Sequence, residues 1–259
     1  MDRSDGGYQD ATYGDRIADV YDAWYGASPA LGDLAATIDL LASIAGAGPA
    51  LELGIGTGRV ALPLSAAGIQ VQGIDVSQAM VDRLRAKPGG DRIPVTMGSF
   101  ADFSLADRFS LIYVVFNTFF GLRSQEQQIA CLRAIVRHLG PGGVFLMEAF
   151  VPDPSRFDRG QRISAIRVDE DEVSFEVSTH DLVAQSTVSQ HVVIREDGIR
   201  LHPVRIRYAH VAELDLMARV AGLRLRDRWA DWDRSAFASD SAKHISVWEV
   251  DPDPDRASG

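Results

Sequence analysis

A glycine-rich turn carries the first chemistry that this sequence indicates. In the segment LELGIGTG, residues 51–58, an apolar strand-like run leads directly into glycines at alternating positions. Glycine lets the backbone bend tightly and approach a ligand, and the free N–H groups of a following helix attract polar groups. Glu52 stands two residues before the first glycine, where a carboxylate would repel a pyrophosphate and attract an ammonium group. The turn therefore predicts a ligand that presents a positive charge to Glu52.

A second carboxylate, Asp75, ends the next apolar run, where it can accept hydrogen bonds from both hydroxyls of a ribose. Dinucleotide-binding sequences carry an acid there too, but they also require a third glycine where this chain has Arg59. Together with Glu52, this spacing favours a nucleoside that bears an amino group over a dinucleotide. A nicotinamide oxidoreductase and a glycine turn that serves only helix packing are the alternatives, and equilibrium binding of both cofactors would distinguish the two enzymes.

Apolar runs that alternate with helical patterns predict the elements that position these residues. Strands are expected at residues 50–54, 69–76, 93–100, 109–117, 143–150, 223–232 and 243–250. Helices are expected at residues 58–67, 77–86, 124–139 and 210–221. Continuous apolar runs such as LIYVVF are typical of strands that are covered on both faces. The sequence therefore predicts an α/β fold with a seven-stranded, mostly parallel sheet and helices on both faces.

Apolar and polar residues alternate between residues 161 and 208, and this period predicts a small antiparallel sheet inserted into the main domain. Arg205, Arg207 and Tyr208 on its last strand are expected to meet substrate or a second subunit, so a homo-oligomer held through the insert is one prediction. The division that follows is a disordered N-terminus, 1–12, a main domain with an N-terminal helical lid, 13–150 and 210–250, an insert, 151–209, and a disordered tail, 251–259.

Charge and hydropathy exclude several partners. The formal net charge is −10, so a phosphate backbone would be repelled and no nucleic acid is expected as substrate. No apolar run approaches the roughly 18 residues that a membrane span needs, and the N-terminal segment is polar, so we expect a cytoplasmic protein without membrane contact. The single cysteine, Cys131, is expected to be a small core residue.

These motifs resemble those of a known enzyme family. The run LELGIGTGRVALPL is similar to motif I of class I S-adenosylmethionine-dependent methyltransferases, GIDVSQAMVDRL resembles their next motif, and HLGPGGVFLMEAF resembles a later helix and strand. The matches span about residues 13–150. The resemblance implies a Rossmann-like fold and an enzyme that uses S-adenosylmethionine and releases S-adenosylhomocysteine.

The resemblance also assigns cofactor contacts. It implies that the methionine part of the cofactor lies over Gly54, Gly56 and Gly58, the ribose on Asp75 and the adenine beside Val76.

Two alternatives remain for the residue that contacts the adenine amino group. Relatives often carry Gly-Asp after the third strand, but this chain reads GSFADF at residues 98–103, so either Asp102 or the backbone of Ser99 and Phe100 would meet that group. The cofactor-binding set that we expect is Tyr21, Glu52, Gly54, Gly56, Gly58, Asp75, Val76, Met80, Ser99, Phe100, Phe116 and Asn117.

A narrower resemblance concerns the N-terminal segment YGDRIADVYDAWYG, the segment VFNTFFGLRSQEQQ and the insert. These resemble antibiotic-pathway N-methyltransferases of the macrolide amino-sugar and lincosamide types. The resemblance implies that an N-terminal helix closes over the cofactor with tyrosines facing the methyl donor. Tyr13, Tyr21 and Tyr25 share roughly one helical face; we expect Tyr13 and Tyr21 in the site and Tyr25 packed on the core.

Methyl transfer from a sulfonium is an in-line displacement that needs alignment more than acid or base. Candidate groups at the ends of the predicted strands, where open α/β sheets bind ligands, are Phe116, Asn117, Phe120 and Glu148. Aromatic rings there would attract a positive sulfur, so Phe116 and Phe120 are expected to line the pocket. The catalytic set that we expect is Tyr13, Tyr21 and Phe120.

A metal site is not expected, because no histidines or acids show ligand spacing. The histidines in or beside the insert are expected to be structural or exposed, although one could accept a proton; they are His180, His191, His202 and His210.

The predicted function is methyl transfer to a small-molecule acceptor, an amine nitrogen of a secondary metabolite, because an amine needs no positioned base. An O- or C-methyltransferase is the alternative within the class, and a non-catalytic cofactor-binding protein is the alternative outside it. Release of S-adenosylhomocysteine in a turnover assay would distinguish an enzyme from a binding protein.

Overall fold

The computed structural model describes residues 8–25 and 33–252 of the 259-residue chain. Its helices are α1 (Thr12–Tyr25), α2 (Leu34–Ala45), α3 (Ala61–Ala66), α4 (Gln78–Arg85), α5 (Gln125–His138) and α6 (Val211–Val220). Its strands are β1 (Ala50–Leu53), β2 (Val71–Asp75), β3 (Val95–Met97), β4 (Phe109–Val114), β5 (Leu139–Phe150), β6 (Gln161–Val168), β7 (Glu172–Asp181), β8 (Ser186–Arg195), β9 (Gly198–Arg207), β10 (Leu223–Trp229) and β11 (Lys243–Val250). None of these helices is both long and apolar enough to cross a membrane.

Seven strands form the main sheet in the order β3-β2-β1-β4-β5-β11-β10. Neighbours from β3 to β5 pair in parallel, whereas β11 runs antiparallel to both β5 and β10. Alternate side chains of β4 serve the two faces: Ile112 and Val114 pack in the cluster that contains α5 and α6, and Leu111 and Tyr113 pack in the cluster that contains α2 and α3. The predicted α/β fold is confirmed.

Several elements differ from the predicted ones. β4 ends at Val114 because Phe116 and Asn117 adopt left-handed backbone angles, with φ of 53° and 63°. β5 begins already at Leu139, so the glycine-rich segment that follows α5 lies inside the strand as a bulge, where Gly142 has φ of 72°. β3 has three residues, and α2 is not among the predicted elements.

The insert is a separate four-stranded antiparallel sheet in the order β6-β7-β8-β9, as predicted. A buried arginine connects it to the main domain. The Arg207 guanidinium donates to Gln128 on α5 over 2.7 Å and pairs with Glu213 on α6 at 2.5 Å. The Gln128 amide donates back to the Arg207 carbonyl over 2.9 Å. The insert therefore sits against the helices that follow β4 and β9.

The segments expected to be disordered extend only partly into the described chain, since residues 1–7 and 253–259 lie outside it. The described residues next to them make contacts with the rest of the chain. The Tyr8 ring lies 5.4 Å from the guanidinium of Arg123 and 5.1 Å from that of Arg205, and α1 begins at Thr12. At the other end, the Asp251 N–H donates to the carbonyl of Gly222, just before β10, over 2.9 Å.

Candidate cofactor and acceptor site

A cavity of about 550 Å³ opens at the edge of the main sheet where the parallel strands end. Three parts of the molecule enclose it: the loops after β1, β2, β3 and β4, the helix α1, and the inserted sheet. This is the edge at which open α/β sheets bind ligands. Most of the predicted site residues lie in the wall of this cavity.

The glycine turn after β1 forms one end of the cavity. Gly54 and Gly56 have φ of 76° and 55°, and a side chain on Gly54 would meet Thr118 at 2.5 Å. Both glycines line the cavity, as predicted. Gly58 does not line it; a side chain there would meet Leu84 at 2.3 Å, so this glycine lets α4 pack closely. The expected contact of Gly58 with the cofactor stays a prediction beside this packing role.

The Asp75 carboxylate faces the cavity at the end of β2 and also fixes the glycine turn. It accepts the Gly56 N–H over 2.7 Å and the Ser77 N–H over 2.8 Å. A carboxylate has about four acceptor positions, so acceptor capacity remains for a ligand. Burial raises the pKa of Asp75, and these hydrogen bonds partly offset that rise. Val76 and Met80 line the same end.

Of the two open alternatives beyond β3, the structure brings Ser99 and Phe100 into the cavity wall. Asp102 instead pairs with Arg137 at 2.5 Å, with its side chain 68% exposed, and it does not line the cavity. The structure thus places Ser99 and Phe100, and not Asp102, at the cavity; the adenine contact itself stays a prediction.

A small second cavity of about 30 Å³ shares Gly54, Gly56 and Phe116 with the main one and contains Glu52 and Arg59 in its wall. Burial raises the pKa of the Glu52 carboxyl, 3% exposed, to about 8, although hydrogen bonding from a tyrosine on β4 opposes this rise.

The sequence indicates Arg59 only as the residue that stands in place of the third glycine of a dinucleotide-binding motif. Its guanidinium donates to the Tyr21 hydroxyl and lies 6.0 Å from the Phe116 ring centre. A carboxyl and a guanidinium on one small cavity suit the two charged groups of an amino acid. The signal that could have identified Arg59 is its place directly after the glycine turn.

The helix α1 closes the cavity and carries the three predicted tyrosines. The Tyr25 ring lies 5.0 Å from Tyr21 and 5.2 Å from Phe116, and its hydroxyl accepts a hydrogen bond from Tyr13. All four rings line the cavity, so Tyr25 does not simply pack on the core as expected. Burial raises the pKa of Tyr21 to about 12, which keeps this phenol neutral near pH 7.

The segment after β4 separates into cavity and core residues. Phe116 and Asn117 line the cavity, and the Asn117 side chain accepts the Phe150 N–H over 2.7 Å. Phe120 is fully buried in the core and meets Phe150 edge to face at 5.1 Å. The prediction that Phe120 lines the pocket is wrong because the short 3-10 turn, Thr118–Gly121, rotates its ring inward. Glu148 accepts the Phe116 N–H over 3.0 Å and supports this loop from outside the cavity.

The insert supplies the far wall, which is rich in polar groups. Nε2 of His180 lies 2.6 Å from the Tyr208 hydroxyl, and both residues line the cavity. His191 and His202 instead pack against Trp24 of α1, at ring distances of 4.3 and 4.8 Å. Among the described residues, no three His, Cys, Asp or Glu side chains are grouped to hold a metal ion.

A Rossmann-like sheet with an acid-ended second strand and a glycine turn defines a class of nucleoside-binding α/β enzymes. Comparison with known proteins narrows the class. A methyltransferase-domain family model matches residues 50–143. The cypemycin N-terminal methyltransferase of a Streptomyces species is 32% identical over 202 residues, 77% of this chain and 82% of that protein.

Solved structures agree with this family. The CcbJ methyltransferase from Streptomyces caelestis superposes with a TM-score of 0.88 at 42% identity, over 94% of this chain and 100% of that one. CalS10, an S-adenosylmethionine-bound amino pentose methyltransferase from Micromonospora echinaspora, shares the fold with a TM-score of 0.65 at 22% identity, over 88% and 96% of the two chains. The chain belongs to the S-adenosylmethionine-dependent methyltransferases. The predicted enzyme class and cofactor are confirmed, and the nicotinamide alternative does not hold.

Proposed function

We propose that this enzyme transfers the methyl group of S-adenosylmethionine to an amine nitrogen of a small molecule or peptide end in secondary metabolism. The observation that carries the proposal is the aromatic wall where transfer would occur: Tyr13, Tyr21, Tyr25 and Phe116 line the cavity beside the glycine turn. Such a wall can align an amine, which needs only to lose its proton to water, whereas a hydroxyl needs a positioned base. The similarity to the cypemycin N-terminal methyltransferase supports nitrogen.

The cavity fits the cofactor by chemistry. Glu52 and Arg59 would hold the amino-acid end, Asp75 the ribose, and Ser99 with Phe100 the adenine. The remaining proposed contacts are Tyr21, Gly54, Gly56, Val76, Met80, Phe116 and Asn117. When bound, the cofactor supplies a sulfonium methyl group that a nucleophile displaces in line.

The tyrosines and Phe116 would align the reaction. Aromatic faces attract a positive sulfur by about 0.5–2 kcal/mol. The hydroxyls of Tyr13 and Tyr21 would orient the acceptor, and Phe116 takes the role first expected of Phe120, whose ring is buried in the core. Tyr25 would hold Tyr13 in place through the hydrogen bond between their hydroxyls.

O-methyl transfer is the second candidate, and one observation favours it. His180 faces the cavity with Tyr208 as hydrogen-bond partner, and a neutral histidine could accept the proton of an acceptor hydroxyl.

A matched acceptor panel tests the choice. We would incubate the enzyme with methyl-labelled S-adenosylmethionine and three pairs: 3-amino-3-deoxyglucose against glucose, a dipeptide with a free against an acetylated N-terminus, and proline amide against its N-acetyl form. We expect label on amines and release of S-adenosylhomocysteine. Tyr21→Phe, which keeps the ring and removes the hydroxyl, is expected to lower kcat by about tenfold, the loss of one oriented hydrogen bond. Label on hydroxyls alone would overturn the proposal in favour of O-methyl transfer.

A further inference from the structure

Glu176 on β7 is a carboxylate that the sequence did not single out. It is half-buried and lines the cavity from the inserted sheet, on the same face as His180. Within the described parts of the chain, no hydrogen bond or ion pair holds its oxygens. A carboxylate on a cavity wall whose oxygens no protein group holds is available for a charge-assisted hydrogen bond to a cationic ligand.

The other carboxylates that line the cavity are already engaged. Asp10 pairs with Arg123 at 3.1 Å. Asp75 accepts two backbone N–H groups, and Asp153 accepts the Ser155 N–H over 3.0 Å. Glu176 is thus the lining carboxylate, among those described, whose charge is not already directed to another group of the protein.

The charge of Glu176 also acts on the aromatic residues of the cavity wall. The pKa of Tyr25 is raised by burial and further by the negative charge of Glu176, which places the carboxylate near this phenol. Tyr25 in turn contacts Tyr21 and Phe116 beside the glycine turn. Glu176 therefore lies on the acceptor side of the point at which we place methyl transfer.

We propose that Glu176 binds the protonated amine of the acceptor and thereby selects a cationic amine over a neutral hydroxyl compound. This role rests on the proposed function and names its recognition element. The bound ammonium releases one proton to water in the open cavity, the nitrogen lone pair forms the new C–N bond, and the S–C bond breaks with its electron pair left on sulfur. Glu176 stays a carboxylate throughout.

A binding experiment tests this role without turnover. Protein loaded with S-adenosylhomocysteine is titrated by NMR with benzylammonium and with its neutral counterpart, benzyl alcohol. We expect the wild-type protein to prefer the cation by about tenfold, the effect of one charge-assisted hydrogen bond. Glu176→Gln should abolish the preference, whereas Asp153→Asn, which removes a charge from the same cavity rim, should keep it.

Equal affinity of the wild-type protein for both probes, or a preference that survives Glu176→Gln, would overturn the assignment. Glu176→Asp, which retains the charge on a shorter side chain, is expected to keep part of the preference and serves if the glutamine variant does not fold. A failure of the proposed function would look different: the acceptor panel would show label on hydroxyls while the ammonium preference still depended on Glu176.

Discussion

At the residue scale, a buried carboxyl beside the glycine turn links stability to ligand binding. Glu52 is 3% exposed and accepts the Tyr113 hydroxyl over 3.0 Å. Burial raises the pKa of this carboxyl to about 8, although the positive charge of Arg59 opposes the rise. Near neutral pH the free protein therefore favours the neutral acid. An ammonium group of a bound ligand would favour the charged form instead.

Glu52→Gln should consequently act in opposite directions on stability and binding. The folded-state pKa is above the unfolded one, so wild-type stability falls as pH rises from about 4.5 to about 8. The glutamine variant lacks this titration, so its Tm should exceed that of the wild type near pH 8 and match it near pH 5. Its affinity for S-adenosylhomocysteine should fall by about tenfold. Calorimetry measures both quantities, with the exposed Glu170→Gln as control; a Tm difference that is equal at both pH values would contradict the assignment.

At the scale of elements, hydrogen bonds and an ion pair hold α1 against the glycine turn and the two ends of α4. The Thr57 hydroxyl donates to Asp22 over 2.7 Å, and Lys87 pairs with the same carboxylate at 2.7 Å. The Ser77 hydroxyl donates to Asp15 over 2.6 Å. Gly14 leaves room for this contact, because a side chain there would meet Ser77 at 2.5 Å. The helix is therefore anchored to the glycine turn and to the start of α4.

Asp22→Ala should loosen this lid. It removes the Thr57 hydrogen bond at the glycine turn and the ion pair with Lys87 after α4, so we expect S-adenosylhomocysteine to dissociate about tenfold faster. Stopped-flow displacement measures the rate. The matched control is Asp19→Ala on the same helix, whose pair with Arg83 is exposed and worth about 0–1 kcal/mol. Equal effects of both substitutions would show that α1 is not held through Asp22.

At the scale of the whole molecule, a buried arginine joins the inserted sheet to the main domain. Arg207 is 8% exposed and joins β9 to α5 and α6 through Gln128 and Glu213. The outer face of the sheet exposes Ile163, 73%, and Leu201, 48%. Association of two copies through the insert stays a prediction that sedimentation can address.

Arg207→Met should destabilise the fold strongly. The change leaves Glu213 without its cation, and breaking a buried pair typically costs about 3–5 kcal/mol. Urea unfolding gives the free energy directly. Arg200→Met on the same strand is the control, because Arg200 and its partner Asp197 are 52% and 58% exposed. If the two variants lost the same stability, the insert would not depend on Arg207.

The sequence alone determined the sheet, the glycine turn and the acid at the end of β2. These features are local: buried strands need apolar runs, tight turns need glycine, and a strand end lies where its strand stops. The positions of Gly54, Gly56 and Asp75 in the cavity wall follow from those rules.

Only the tertiary structure decided which side chains face the cavity. It turned Phe120 into the core, brought Tyr25 to the cavity, removed Asp102 from it and added Glu176 from a sheet more than a hundred residues beyond the glycine turn. The reason is that backbone preferences act over a few residues, whereas a cavity wall is assembled from distant segments whose orientation is set by packing.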